Sequence, residues 1–342
     1  MSIIKASLRR RDVLAGISAG AAAICMPGIV RAQTPTVMKI GTPTVNDVQH
    51  EWMKVFAAAI ESGTKGAIKC ELYPASQLGA APRMVEGTQF GTIQAVVMPP
   101  EFFNGVDTRY AVLGAPGLIS NIDQGNKLVQ KPEVRDAVLA LGATKGLKGV
   151  GVFMYGPASF AFRNEVKTLK DFAGKKIRVF ASPIQTEPMK RLNATAVPMP
   201  LSEVLPALQQ GTLDGVMSVL PVFSALRFYD AGKHIVETDH AAVTVVSVVS
   251  KVWFDKLPAD QQAVIVEAGK KADKDNYSFA VDFMAKSKQT WASNGGTLTK
   301  LSSAEQAELT KMLRPVAVEV TSKKPEEKAL FELMAKAAGV SI

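Results

Sequence analysis

The sequence contains few of the residues from which catalytic and metal sites are built. Its 342 residues include three histidines and two cysteines. His50, His234 and His240 show no H-E-x-x-H spacing, and the cysteines form no Cys-x-x-Cys pair. No glycine-rich loop of the kind that cradles phosphate follows a predicted strand. We therefore predict a protein without metal, cofactor or catalytic activity, and a binding function becomes the default.

The first 32 residues have the composition of an export signal. Lys5 and the run Arg9–Arg11 precede an apolar stretch from Val13 to Ile24, and small residues end the segment at Ala32. The adjacent arginines favour the twin-arginine route, with the general secretory route as the alternative. A membrane-spanning helix is disfavoured because the apolar stretch is shorter than the ~20 residues that a span needs. We expect cleavage after Ala32 and a periplasmic protein.

One apparent catalytic motif falls inside this leader. Residues Gly16–Gly20 match G-x-S-x-G, which indicates a hydrolase only when it joins a strand to a helix. Because a cleaved leader provides no such context, we interpret the match as chance.

The rest of the chain is only mildly basic. Removing residues 1–32 takes away five basic residues and one acidic residue, so the formal charge falls from +9 to +5. No Lys/Arg block is interleaved with aromatic residues, which argues against nucleic-acid binding. Cys70 is the one cysteine left, so no internal disulfide is expected. About 310 residues exceed what a single core usually fills, which predicts two lobes.

The pattern of apolar residues repeats a β-α-β-α-β unit. Between Gly174 and Gly215 it predicts a strand at Lys175–Phe180, a helix from Ile184, a strand at Ala194–Met199 and a helix capped by Ser202. The same order occurs earlier, between Val37 and Met98. We therefore predict an α/β fold with two parallel units. In such sheets ligands bind beyond the carboxyl ends of the strands.

The second unit resembles the substrate-binding subunit of tripartite ATP-independent periplasmic (TRAP) transporters. The resemblance extends over roughly residues 37–257 and is strongest at positions that match two family patterns, "LKGLKIRV" and "P-x-x-x-SEV-x-x-AL-Q-x-G-x-x-DG". The matching residues are Leu169, Gly174, Lys176, Ile177, Arg178, Val179, Pro198, Ser202, Glu203, Val204, Ala207, Leu208, Gln209, Gly211, Asp214 and Gly215. Residues Tyr73–Gly79 and Arg227–Tyr229 match two further short family patterns.

The resemblance implies a two-lobed periplasmic solute-binding fold with hinge-crossing strands and a long bracing helix. We place the crossing strands at 149–155 and 239–250, and the helix at 259–293. The first lobe would comprise residues 33–155 and 244–283, and the second lobe residues 156–243 and 284–342. The implied partners are a small organic acid and the small and large membrane subunits of a TRAP permease. We expect the receptor to be a monomer.

The resemblance also implies a carboxylate site. In this family the arginine of "KIRV", here Arg178, pairs with the substrate carboxylate. Ala158 stands where some members have a second arginine, and Ser218 stands where those members have asparagine. Leu201 replaces a frequent aromatic residue.

These departures predict an apolar pocket around a single anion anchor. Leu201 and Phe180 would line it, with Met98 and Phe103 contributed by the first lobe. Pro99-Pro100 ends the strand before Glu101, Phe102 and Phe103, which places these three residues in a loop that faces the cleft. The favoured solute is an apolar or aromatic monocarboxylate.

Two other function classes stay open at this point. One is a ligand-binding protein that reports to a sensory receptor, and the other is a periplasmic enzyme on the same scaffold.

Overall fold

The computed structural model describes residues 35–341 of the chain. The predicted export signal, residues 1–32, therefore lies outside the described part. Within residues 35–341, no helix combines the length and the apolar character that a bilayer crossing requires.

The first β-α-β-α-β unit forms as the sequence pattern predicts. Helix α1 begins after Asp47, whose side chain accepts a hydrogen bond from the backbone N–H of His50. Helix α2 ends at Gly91, which adopts a left-handed conformation with φ of 82°. The unit consists of β1 (Thr36–Gly41), α1 (Val48–Gly63), β2 (Ile68–Tyr73), α2 (Ala81–Phe90) and β3 (Ala95–Met98).

Short helices lead from this unit to the first long strand. Two 3₁₀ helices, Pro100–Phe103 and Thr108–Gly114, follow β3. Helices α3 (Ile122–Val129) and α4 (Pro132–Leu139) come next, before β4 (Leu147–Phe162).

The second β-α-β-α-β unit comprises β5 (Lys176–Val179), α5 (Pro183–Arg191), β6 (Thr195–Pro198), α6 (Leu201–Gln210), β7 (Gly215–Ser218) and the short α7 (Leu220–Ala225). The prediction that Ser202 caps α6 is wrong. The helix already begins at Leu201, its cap position is Pro200, and no side chain makes a capping bond there. Proline suits that position because its ring holds φ near −60° with the backbone still extended.

The remaining elements are β8 (His234–Ser250), α8 (Lys251–Phe254), α9 (Ala259–Ser293), β9 (Thr297–Lys300), α10 (Ser303–Thr321) and α11 (Pro325–Ala338). Both long strands extend beyond their predicted bounds, while α9 matches its predicted range.

All nine strands of the described chain join one sheet, in the order β2-β1-β3-β8-β4-β7-β5-β6, with β9 added to β8. Strands β4 and β8 pair antiparallel along most of their length, through irregularities in register near residues 149–159. Strand β3 pairs with one end of β8 and β7 with the opposite end of β4. The two units therefore flank a shared central pair of strands. Asp239, with φ of 45°, lies in the stretch of β8 where the pairing with β4 shifts register.

Helix α9 braces both units. Its first part packs on α1 and β4 and its last part on α7 and β9. Gly269 permits the close approach to β4, because a Cβ there would lie 2.1 Å from the carbonyl oxygen of Val150. The predicted α/β architecture, with two parallel units, long crossing strands and a long bracing helix, is confirmed.

The last two helices pack on different lobes. The sequence assigns residues 284–342 to the second lobe. Helix α10 does pack there, against α5, but α11 packs on the 3₁₀ helix Thr108–Gly114 and on α3 and α4. Leu330, Phe331 and Met334 join the core of the first lobe. The apolar face of α11 has its complementary surface there.

Candidate functional site

The carboxyl ends of strands from both units converge on a narrow cleft with a cavity volume of about 10 Å³. Parallel strands that end at one edge of a sheet bring the residues that follow them together there. The first unit contributes residues after β1 and β3, the second unit contributes residues in and after β5, β6 and β7, and β4 contributes Tyr155 from the crossing. The lining residues are Pro43, Thr44, Gln49, Pro99, Phe102, Tyr155, Arg178, Phe180, Leu201, Ser218 and Val222.

Arg178 is the cationic residue of this cleft. Its side chain is fully buried, with Nε donating to the carbonyl oxygen of Met199 at 3.1 Å and Nη1 donating to that of Met217 at 3.3 Å. The guanidinium carbon lies 4.5 Å from the centre of the Phe180 ring. These contacts hold the guanidinium group in one orientation.

The third nitrogen of the fork, Nη2, is buried and has no hydrogen-bond partner among residues 35–341. Burial lowers the pKa of Arg178 to about 10, so the group remains a cation at neutral pH. A buried cation with an unused N–H provides what a carboxylate needs.

Aromatic and aliphatic side chains form the walls around this cation. Phe102, from the first lobe, meets Phe180, from the second, edge to face with ring centres 5.5 Å apart. Leu201 and Val222 lie at the amino-terminal ends of α6 and α7. The two lobes thus touch each other directly through apolar surface at the cleft.

Polar groups line the opposite side. The hydroxyl of Tyr155 donates to the carboxylate of Asp47, the capping residue of α1. Burial raises the pKa of Tyr155 well above its usual value, so the hydroxyl stays protonated. Thr44 Oγ1 lies near this pair, buried, and makes no hydrogen bond of ordinary geometry with any described residue. This side of the cleft therefore offers a hydroxyl that a solute could engage.

Glu101 lies beside the cleft and is buried, with 3% of its surface exposed. Its Oε1 accepts a hydrogen bond from Nε2 of Gln185, on α5 of the second lobe, at 3.1 Å. Burial raises the pKa of Glu101 to about 7, against the opposing effects of the Gln185 bond and the Arg178 charge.

The structure brings four of the predicted site residues into the cleft lining: Arg178, Phe180, Leu201 and Ser218. It does not bring Met98, Phe103 or Ala158 there. Met98 and Phe103 are fully buried in the core of the first lobe, where Phe103 lies 5.1 Å from Tyr110 between ring centres. Ala158 lies in the core on β4, and its carbonyl oxygen accepts from Thr238 Oγ1 at 3.3 Å.

Of the two adjacent phenylalanines that follow Pro99-Pro100, Phe102 lines the cleft and Phe103 does not. The two follow each other in a 3₁₀ helix, where successive side chains are about 120° apart, so only one of them can face the cleft. The sequence signal for Phe102 was its place in the same loop after Pro99-Pro100. No sequence pattern predicted the site role of four other lining residues, which only follow or lie on a strand: Thr44, Gln49, Tyr155 and Val222.

Within residues 35–341, no group of three or more His, Cys, Asp and Glu side chains is arranged to hold a metal ion.

Comparison with known proteins gives one family. The family described as "Bacterial extracellular solute-binding protein, family 7" matches residues 41–324. A 2,3-diketo-L-gulonate-binding periplasmic protein of Escherichia coli (strain K12) is 30% identical over 227 residues, which are 66% of this chain and 69% of that protein. A C4-dicarboxylate-binding periplasmic protein of Rhodobacter capsulatus is 25% identical over 313 residues, which are 91% of this chain and 93% of that protein.

A solved structure shows the same fold. A TRAP periplasmic solute binding protein from Haemophilus influenzae, with bound L-gulonate, superposes with a TM-score of 0.83 at 22% sequence identity. The superposition covers 88% of this chain and 99% of that one.

Proposed function

The chain belongs to family 7 of the bacterial extracellular solute-binding proteins, and we propose that its cleft closes on a small organic acid whose carboxylate binds Arg178. Membership in this family makes the protein a periplasmic receptor and not an enzyme, as the sequence predicts. We propose that it delivers the acid to the two membrane subunits of a TRAP permease.

One observation carries the proposal of an acid. Arg178 Nη2 is buried in the cleft without a partner, although the other two nitrogens of the guanidinium bond to carbonyl oxygens. An unpaired N–H of a buried cation costs roughly 1–3 kcal/mol, and a bound carboxylate removes that cost. The two relatives reported above are named for a keto sugar acid and for C4-dicarboxylates, which are both carboxylates.

We further propose that the preferred acid is a monocarboxylate with an apolar or aromatic body. The cleft lining includes a single cation, and Phe102, Phe180, Leu201 and Val222 supply apolar surface beside it. Burying that surface against the solute contributes roughly 25 cal/mol per Å². A second carboxylate would be desolvated without a cation among the lining residues.

A thermal-shift screen of organic acids tests both the proposed carboxylate site and the proposed preference for apolar acids. The panel contains phenylacetate and 4-methyl-2-oxopentanoate as apolar acids, 2,3-diketo-L-gulonate and L-gulonate as hydroxylated acids, and malate and succinate as dicarboxylates. We expect the apolar acids to raise the melting temperature most. Stabilisation by the hydroxylated acids or dicarboxylates alone would contradict the apolar preference and leave the carboxylate receptor intact. Equal stabilisation by the neutral amide of the best acid would contradict the carboxylate site itself.

A further inference from the structure

A second and much larger cavity lies beside α10. Its volume is about 1410 Å³, whereas pockets for small organic molecules usually measure about 300–1,000 Å³. Helix α10 lines it from Ser303 to Glu319, and residues 116–120 and the 237–240 segment of β8 face the helix across it. None of its lining residues belongs to the cleft at Arg178. We call it the α10 cavity.

The surface of the α10 cavity is largely apolar. Leu118, Ile119, Leu313 and Phe331 contribute side chains that are otherwise buried, and Val318 is 42% exposed. A ligand with an apolar body would remove this surface from water, which favours binding. The cavity therefore suits a molecule that is not polar throughout.

Two cations of α10 have no anionic partner at this cavity. Lys311 and Arg314 lie one turn apart on the helix, which places their Cβ atoms about 5–6 Å from each other. Both are exposed and line the cavity, and neither forms an ion pair with any residue in 35–341. Arg314 Nη2 instead donates to a neutral group, the carbonyl oxygen of Ser341, at 2.5 Å. Two adjacent cations of this kind attract an anion.

The other charged residues of the lining are balanced by opposite charges. Asp239 and Lys300 both belong to the lining, so their charges offset each other in its total. The other two carboxylates of the lining form ion pairs with cations outside it: Glu237 with Lys288, at 2.6 Å, and Glu319 with Arg191. The charge left for a ligand is therefore positive, and it belongs to Lys311 and Arg314.

His240 adds a polar group in a fixed position. Its side chain lines the cavity, is 7% exposed and stacks on Phe160 with ring centres 5.4 Å apart. Nδ1 lies 2.8 Å from Thr238 Oγ1, and burial lowers the pKa of His240 to about 4, so the ring is neutral at pH 7. Nε2 has no hydrogen-bond partner within residues 35–341, which leaves it for a molecule in the cavity.

His240 and Arg314 are close enough for one small molecule to contact both. The carbonyl oxygen of His240 accepts from the backbone N–H of Gly117 at 2.9 Å. A Cβ on Gly117 would lie 3.5 Å from Cγ of Arg314. Residue 117 alone therefore separates the two residues.

We propose that the α10 cavity is a second binding site, which takes an organic anion with an apolar body. The anionic group binds at Lys311 and Arg314, and the apolar body lies against Leu118 and Leu313. His240 Nε2 forms a hydrogen bond with a polar group on that body. This site is independent of the proposed carboxylate site, since the two share no residue.

The probe for the first experiment is 1-anilinonaphthalene-8-sulfonate (ANS), which has a sulfonate, an aromatic body and one N–H. Its fluorescence is measured during titration with refolded, ligand-free protein. We expect saturable binding of one ANS per chain. The neutral N-phenyl-1-naphthylamine, which lacks the sulfonate, should bind at least about tenfold more weakly. Absence of saturable ANS binding would overturn the site, and equal affinities for both probes would overturn its preference for anions.

Charge-reversal variants locate the anionic group. Lys311→Glu combined with Arg314→Glu should weaken ANS binding by roughly tenfold or more, because two attractive charges become repulsive. Lys271→Glu combined with Lys274→Glu is the matched control, with the same spacing and charge change at exposed positions of α9 outside the cavity. Equal ANS affinities in the two double variants would overturn the assignment to Lys311 and Arg314.

Uncharged variants test the contacts of the body, and they decide the proposal even if charge reversal disturbs folding. Ala307→Trp fills the cavity from α10 and should weaken binding of both probes, whereas Ala304→Trp, also exposed on α10 but outside the lining, should not. His240→Phe keeps a ring of similar size and should weaken ANS binding by about two- to tenfold through the lost hydrogen bond. Unchanged ANS affinity in Ala307→Trp would place the probe elsewhere and overturn the site. Unchanged affinity in His240→Phe would contradict the hydrogen bond.

Discussion

Among single residues, Arg178 is the one that we propose recognises the solute, because backbone contacts hold its guanidinium in a fixed position. Backbone carbonyl oxygens accept from Nε and Nη1 and the Phe180 ring covers one face, which leaves the N–H groups of Nη2 for a solute acceptor. Lysine has the same charge but a point-like ammonium on a flexible stem, and it cannot reproduce these contacts. Charge alone therefore does not account for the site.

Arg178→Lys should weaken binding of the preferred acid by roughly tenfold or more, equivalent to about 1.4 kcal/mol, and Arg178→Ala should weaken it further. Calorimetry on refolded, ligand-free proteins measures both affinities. Arg83→Ala is the matched control, because Arg83 is exposed and its ion pair with Glu86 lies on the surface. Unchanged affinity in Arg178→Ala would refute the anchor.

Among elements, α9 is attached to the first lobe by a buried carboxylate. Asp273 accepts from the indole N–H of Trp52 on α1 at 2.7 Å and from the backbone N–H of Val152 on β4 at 3.0 Å. It also forms an ion pair with Arg135 of α4. One side chain thus joins four elements.

Asp273→Asn should destabilise the protein by about 2–4 kcal/mol. An amide presents an N–H to at least one of three donors, which leaves a buried group unpaired. Urea unfolding measures the loss. Asp275→Asn, two residues along the same helix, is the control, since its pair with Lys271 is exposed and worth at most about 0.5 kcal/mol. Equal losses in both variants would mean that the buried network contributes nothing of its own.

For the molecule as a whole, the buried acid beside the cleft makes stability depend on pH. The pKa of Glu101 is about 7 in the folded protein, whereas the ordinary value is 4.5. A carboxyl whose folded pKa is raised contributes stability that is fully present below its unfolded pKa and is lost as the pH rises through the folded one. The ligand-free protein should therefore lose stability between about pH 4.5 and 7 through this group.

Glu101→Gln should remove that part of the pH dependence and stabilise the ligand-free protein at neutral pH, by about 1–3 kcal/mol. The amide oxygen still accepts from Gln185, so the lobe contact is retained. Denaturant unfolding of both proteins across this pH range provides the measurement. Parallel curves for wild type and variant would show that Glu101 does not titrate there.

The sequence alone was sufficient to predict most of the secondary structure and the place of Arg178 in the cleft. Each βαβαβ unit follows from local periodicity and from breakers such as Gly91 and Gly211, which end helices in a left-handed conformation whatever packs nearby. Residues 259–293 predict their helix because a helix makes its hydrogen bonds within itself. Arg178 was found because the residues around it match a family pattern at fixed spacing.

Only the tertiary structure decided which residues meet. The long strands β4 and β8 extend further than their composition indicates because each pairs with the other, between residues 72 to 103 positions apart in the chain. The choice of Phe102 over Phe103 depends on a 3₁₀ turn, and the place of α11 depends on an apolar surface formed by residues far earlier in the chain. The contact between Glu101 and Gln185 joins residues 84 positions apart. Such contacts depend on which surfaces fit together when the chain folds. Local sequence patterns do not determine that fit.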